Sequence, residues 1–405
     1  MKKYILIILC CLTSFPLWSY NVNMIVEHYS VDQGLPNNTV NCTLKDRDGF
    51  IWFGTWYGLC CFDGVKFKTF NKQEHDSDVP PRKIQRIVED KNGYIWVKTI
   101  DRKLYVFNKV TECFHAVYDD MKNYSENIQV IKLQNTAEGD VLLLTKDKNL
   151  LLAGVDEKGQ VTIKILFDSR NEINKHDYTL KHHVLCETEE YISWIGTDYK
   201  VSAVHKGAEL ASRPADFITS KINSGDKDSF TSFFEDGRKV WVGDRAGIFY
   251  SIDVRTGLVN RYVLSEIKGA ISNLLVTPAG YVYLSVAGQG TYEYDLAERR
   301  LQKINTEMND AMVTHAFIDQ YDKIWFHENE KALIYYDPLN HTAKRFPFTM
   351  FGKITTLYSE DAGERGLFFL SPAGEAWLFD REHAEMVYIN KLKQLSNDRA
   401  NQQFY

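Results

Sequence analysis

Proline is scarce in this chain, 9 in 405 residues, which excludes a proline-rich extended linker or collagen-like rod. Cysteine is scarcer still, and only Cys42, Cys60, Cys61, Cys113 and Cys186 remain once the first 19 residues are set aside. An odd number cannot all pair within one chain, and no C-x-x-C occurs. A disulfide framework is therefore not expected, and the cysteines read as small buried hydrophobes. Beyond residue 19 no stretch approaches 18 consecutive apolar residues, so no membrane span is expected in the mature chain. Net charge is −6 with both signs interleaved, and the absence of a basic stripe argues against a nucleic-acid partner. His-x-His, H-E-x-x-H and G-x-S-x-G are all missing, which removes the usual signatures of metal and nucleophilic catalysis. His182-His183 is the one adjacent pair and reads as solvated loop residues.

What is present begins with the N-terminus. Lys2 and Lys3 precede an apolar run from Tyr4 to Leu12, then Phe15, Pro16 and Trp18. A short positive segment followed by a short apolar one is the pattern of a secretory signal, with cleavage expected near Ser19.

The body of the chain repeats itself. Residues 46–64 read DRDGFIWFGTWYGLCCFDG and residues 90–107 read DKNGYIWVKTIDRKLYVF. Aligned on the residue after the turn, eight units carry Trp52, Trp96, Leu142, Trp194, Trp241, Tyr283, Trp325 and Phe369. The intervals are 44, 46, 52, 47, 42, 42 and 44 residues. Each unit begins with an alternating apolar run such as VNCTLKD, IQRIVED, FTSFFED or VTHAFID. A tight polar turn, the anchor-bearing strand, a second turn and a third strand follow, and a weaker fourth strand closes many units. Period-2 alternation with turn signals at short intervals leaves little room for helix. Four antiparallel strands repeating at this length predict an all-β chain, a β-propeller of four-stranded blades. A lone blade has two bare faces and only stacking covers both, so the repeated aromatic reads as a wedge between blades. Asp46, Asp90, Asp236 and Asp319 fall in the first turn of their units, where a carboxylate caps turn amides. The DRDG segment lacks the remaining ligands of a calcium loop, and no metal is expected there.

The stretch EHYSVDQGLPNNTVNCTLKDRDGFIWFGTWYGLCCFDGVKFKTF, residues 27–70, closely resembles the first blade of the two-component-regulator propeller family. The matching features are GLPNNTV, then D-x-x-G-F-I-W-F-G-T, then YGLCCFDG. That family supplies the periplasmic sensor regions of hybrid two-component systems in gut Bacteroidetes, which sense breakdown products of polysaccharides. The resemblance implies a non-catalytic periplasmic sensor with an oligosaccharide ligand and no cofactor. It also implies partners outside these residues, either C-terminal signalling domains or a second copy in a homodimer. The chain reads as the N-terminal part of such a sensor or a stand-alone relative.

The resemblance favours seven blades over residues 20–350, with 351–405 as an additional blade-like unit. The eight units also permit an eight-bladed ring. The stretch IVEHYSV is expected to pair as a strand beside the last blade. Two readings from other classes stand beside the sensor: a propeller polysaccharide lyase or glycosidase, and a protein-interaction scaffold.

Topology says where a ligand would sit. In a four-stranded blade the turn between strands two and three emerges on the same face as the connector between blades. Trp56, Tyr57, Asp101, Arg102, Tyr199, Lys200, Asp244, Arg245, Gln289, Glu328 and Asn329 collect there. Aromatic rings stack on the C–H faces of sugars while polar groups take the hydroxyls, so Trp56, Tyr57, Arg102, Tyr199, Lys200, Arg245, Gln289 and Glu328 are the candidate ligand-binding residues.

Overall fold

The computed structural model describes residues 29–70, 81–124, 129–147, 149–168, 185–188, 190–195, 201–207, 217–220, 230–236, 238–304, 313–328, 331–351, 358–361, 366–371 and 375–391. Their architecture is eight antiparallel sheets of four strands each, and seven of these, save the last two residues of the seventh, lie in a compact unit, His28–Arg345. Those seven blades occupy residues 40–70, 84–116, 130–167, 185–220, 230–263, 271–303 and 313–347, numbered 1 to 7 below. The eighth sheet, residues 358–391, belongs to a separate unit, Phe346–Arg399, whose Phe369 and Phe379 are fully buried. These sheets are the blades of a β-propeller. Among the described residues no helix is long and apolar enough to cross a membrane.

Blade 1 shows how the sequence builds the unit. Val40–Lys45 pairs with Ile51–Thr55, which pairs with Gly58–Phe62, which pairs with Phe67–Phe70. The first turn needs a residue at positive φ, and Gly49 supplies it at 91°, as Gly93 does at 88° in blade 2. All eight repeat anchors fall on the second strand of their sheets.

The anchors also do more than fill space. In blade 2 the carboxylate of Asp90 accepts from the backbone N–H of Asn92 (2.9 Å) and Tyr94 (3.0 Å). Its second oxygen accepts from the indole Nε1 of Trp96 at 2.9 Å. Asp46 holds Trp52 in the same way at 2.8 Å, Asp236 holds Trp241 at 2.8 Å and Asp319 holds Trp325 at 3.4 Å. One carboxylate thus shapes the hairpin and satisfies a buried N–H that would otherwise be an orphan.

The rings beyond those N–H groups pack into the next blade. Trp52 stacks on Phe70 at 5.4 Å and meets Phe107 of blade 2 edge-on at 5.6 Å. Trp96 lies among Val130, Leu133, Val141 and Leu143 of blade 3, and Trp241 among Ile271, Leu274 and Val282 of blade 6. The wedge between blades is borne out for Trp52, Trp96 and Trp241. Full burial of each ring contributes on the order of 2–3 kcal/mol before entropy is counted.

Two expectations need correction. The described end of IVEHYSV is not a strand: Tyr29 rests on Phe62 and Phe67 of blade 1, at 4.9 and 5.4 Å. Val31–Gln33 is a short 3-10 turn, because Ser30 caps it and Gln33 reaches back to the Ser30 N–H. Of Cys42, Cys60, Cys61 and Cys113, all free, only Cys60 is buried, while the other three are half-buried. Residues 1–19 and His182-His183 lie outside the described residues.

Candidate functional site

The last residue of the second strand builds the second turn. The Thr55 hydroxyl donates to the Gly58 carbonyl at 2.8 Å and accepts from the Tyr57 N–H. Thr99 does the same for Lys103 in blade 2, and Thr145 for Asn149 in blade 3. Blade 5 uses Asp244, which accepts from the N–H groups of Ala246 and Ile248.

Backbone hydrogen bonds then tie each turn to the lead-in of the following blade. Lys83 N–H donates to the Trp56 carbonyl at 3.0 Å, and Ile100 N–H donates to the Lys83 carbonyl at 2.9 Å. Val130 N–H donates to the Arg102 carbonyl at 2.9 Å. Across blades 1 to 3, second turns and connectors therefore share one face, as the topology requires.

On that face the second turns of blades 1 and 2 carry exposed aromatic and cationic side chains. Trp56 is 42% exposed and Tyr57 64% exposed, both large for aromatic side chains. The ammonium of Lys83 lies 5.4 Å from the centroid of the Trp56 ring, within cation–π range. Arg102 is exposed at φ 67°, and its guanidinium makes no hydrogen bond or ion pair among the described residues. Beside it, Asp101 is occupied. Burial would raise its carboxyl, but hydrogen bonds from Thr99 and Lys103 prevail and hold it below its usual range.

The other candidates are distributed differently. Arg245 is exposed on the second turn of blade 5, next to the buried Asp244. In blade 6, Gln289 is a brace: its carbonyl accepts from Lys268 N–H at 2.7 Å and its amide donates to the Glu266 carbonyl at 3.2 Å. Glu328 is a buried strand end in blade 7, paired with the Arg345 guanidinium at 3.0 Å. Tyr199, Lys200 and Asn329 lie outside the described residues. The structure thus brings Lys83 onto Trp56, with Tyr57 beside it in sequence and Arg102 two residues beyond Ile100, which is bonded to Lys83.

Lys83 escaped the sequence reading because its place over Trp56 depends on contact between blades. Lys98 escaped it too, although a signal existed. GFIWFGT and RKVWVGD carry glycine two residues after the tryptophan, and GYIWVKT carries lysine.

The opposite face holds a different cluster. Asp46, Asp48 and Glu89 offer carboxylate oxygens close enough to share a metal ion. The ammonium of Lys109 already sits among them, at 3.0, 2.9 and 2.8 Å. Partial burial would lower Lys109, but the three carboxylates dominate and raise it. A lysine thus supplies the counter-charge here, and Arg47 adds a second ion pair to Glu89 at 3.1 Å.

A propeller with an exposed aromatic and cationic patch on its second-turn face is the class of molecule these observations define. The model of the two component regulator propeller family matches residues 34–57, from the GLPNNTV segment through Trp52 to the Trp56–Tyr57 turn. No curated protein matches the sequence.

Among solved structures, the extracellular domain of a hybrid two component system from B. thetaiotaomicron is 13% identical, with a TM-score of 0.39 over 90% of this chain and 62% of that one. A second such domain from B. thetaiotaomicron is 15% identical, with a TM-score of 0.37 over 92% and 55%. The Dos1 propeller is 14% identical over 82% of this chain and 90% of its own, with a TM-score of 0.50, and this likeness supports the fold. The chain spans less than two thirds of the length of the two extracellular domains.

Proposed function

We propose that this chain is a non-catalytic, ligand-binding sensor propeller of a two-component regulatory system, exported to the periplasm. The match of the two component regulator propeller model to residues 34–57 carries this reading. In it, residues 1–19 are the signal peptide, 20–350 a seven-bladed propeller and 351–405 an additional blade-like unit. Output passes to signalling domains outside these residues.

The ligand is an oligosaccharide on the second-turn face, with Trp56 and Tyr57 as stacking surfaces and Arg102 as a polar contact. Tyr199, Lys200 and Arg245 are further contacts from blades 4 and 5, whereas Gln289 and Glu328 shape the turns beside them. The exposure of Trp56 and Tyr57 supports this placement, because a turn residue needed for packing would be covered.

The test is a calorimetric screen of oligosaccharides against the wild-type chain and Trp56→Ala, with product analysis of each mixture. Loss of a stacked aromatic lowers affinity about five-fold or more, from roughly 1 kcal/mol. Turnover of any glycan overturns the non-catalytic reading. Unchanged affinity of a confirmed ligand for both Trp56→Ala and Arg102→Ala moves the site off this face.

A further inference from the structure

The repeats provide an internal control for one position. Two residues after the anchor, the second strand faces the first across a bulge, and the paired residues project from the same side of the sheet. In blades 1, 5 and 6 these pairs are Cys42 with Gly54, Ser232 with Gly243 and Asn273 with Ser285, all small and uncharged. Blade 3 pairs Leu144 with Lys132, and blade 7 pairs two histidines, His327 with His315. Blade 2 places Arg86 opposite Lys98. Like charges directly opposed on neighbouring strands destabilise a sheet, and blades 1, 5 and 6 show that the fold does not need them.

Lys98 is 6% exposed. Its ammonium donates to Gln85 Oε1 at 2.9 Å and to the Ile131 carbonyl of blade 3 at 2.6 Å. An ammonium has three N–H bonds, and no carboxylate pairs with this one among the described residues. Burial, with the fields of Arg102 and Arg86, pushes Lys98 down to about 8. Arg86 is exposed and, like Arg102, makes no hydrogen bond or ion pair among the described residues. The nearest carboxylate along the chain, Asp101, is held by Thr99 and Lys103. Among the described residues the three cations therefore lack a counter-charge, in contrast to Lys109 on the opposite face with its three carboxylates. They also adjoin the aromatic patch, since Lys83 is bonded to Trp56 on one side and to Ile100 on the other.

We propose that Arg86, Lys98 and Arg102 form an anion-binding subsite, and that the saccharide stacked at Trp56 is acidic, presenting a carboxylate or sulfate to this cluster. Guanidinium groups suit either anion, whose paired oxygens match their forked donors, and the buried ammonium adds a third contact. The acidic-saccharide part rests on the sensor reading. The anion site itself does not.

The experiment uses the full chain with tetragalacturonate, a sulfated chondroitin tetrasaccharide, neutral galactotetraose and sodium sulfate. Calorimetry at low salt should show at least one acidic tetrasaccharide binding about ten-fold or more tightly than galactotetraose, with affinity falling as salt rises. Arg86→Gln and Arg102→Gln, both at exposed positions, should each weaken it about five-fold or more. Binding of galactotetraose equal to that of the acidic sugars, with both variants unchanged, overturns the inference and leaves the sensor reading standing.

NMR titration of Lys98 separates the remaining cases, because a bound anion favours the charged ammonium and raises its pKa. If no saccharide binds but sulfate raises Lys98 in the wild type and not in the two variants, the anion site stands and the saccharide reading fails. If neither sulfate nor any acidic saccharide moves Lys98, the anion site is refuted.

Discussion

Replacing Asp90 by alanine removes one acceptor group that serves three donors at once. Two are the turn amides of Asn92 and Tyr94, and the third is the indole N–H of Trp96, whose ring is fully buried against blade 3. Water reaches the turn, so the two amides lose about 1 kcal/mol together, as when a helix cap is removed. The indole has no such recourse, and an unsatisfied buried donor costs about 1–3 kcal/mol. The expected destabilisation is therefore about 2–4 kcal/mol.

Asp295 gives the comparison. It caps the N–H groups of Ala297 and Glu298 at 2.9 and 3.0 Å but holds no indole, so Asp295→Ala should cost only about 1 kcal/mol. A double-mutant cycle isolates the remainder, because Trp96→Phe deletes the orphaned donor. Asp90→Ala combined with Trp96→Phe should be less destabilising than the sum of the single changes by about 1–2 kcal/mol. Urea unfolding of the full chain measures this, with hydrogen exchange across residues 84–116 and 130–167 reporting where the loss is felt. Additivity within about 0.3 kcal/mol, or equal losses for Asp90→Ala and Asp295→Ala, would refute the account of the Asp–Trp pair.

Gly54→Ala and Gly243→Ala should each destabilise by about 1–3 kcal/mol in denaturant titrations. A Cβ at Gly54 would lie 2.6 Å from Ile84 Cγ2 and one at Gly243 2.8 Å from Ile271 Cγ2, each isoleucine belonging to the next blade. Lys98, lowered to about 8 by burial and its two arginine neighbours, binds fewer protons folded than unfolded between about pH 8 and its ordinary value of 10.5. Its contribution to stability therefore rises with pH across that window, and the difference in unfolding free energy between wild type and Lys98→Met should show that slope. Burial pushes the thiols of Cys42 and Cys60 up to about 12, so neither is a thiolate at neutral pH. Alkylation of Cys60 by iodoacetamide at pH 7.5, followed by mass spectrometry, should be far slower than that of an unfolded control. Lys109→Met should destabilise by about 3 kcal/mol in the same titrations, since it leaves the buried Asp46 without a cation while Glu89 keeps Arg47.

The eight anchors were legible in the sequence because every blade must bury a bulky side chain against its neighbour, and that demand recurs at the repeat spacing. Even Leu142 and Phe369, which lack the indole, fall on second strands. Hidden from the sequence was the partnership of Asp and Trp, because its members stand on either side of a turn and five or six residues apart, a spacing that neither strand nor helix periodicity singles out.

The second-turn face was legible as topology but not as chemistry. Asp244 and Glu328 are polar residues at strand ends that resemble ligand contacts in sequence, yet both are buried and bonded within their own blades. Conversely, the position of Lys83 over Trp56 follows from a backbone bond between two blades, which no local pattern encodes.

Neighbouring blades are joined near the middle of the propeller by side chains that reach a carbonyl on the first strand of the next blade. Asn41 donates to Ile84 at 2.7 Å and Thr231 to Ile271 at 2.7 Å, both through short, neutral groups fixed close to the backbone. At the seam between blades 2 and 3 that rivet is the charged tip of Lys98, on a four-carbon stem. It is the one joint of the three whose fastening can be pulled by an external charge. An anion held in the proposed subsite by the remaining N–H of Lys98 would share one ammonium with the Ile131 carbonyl, so the subsite and the seam have a group in common.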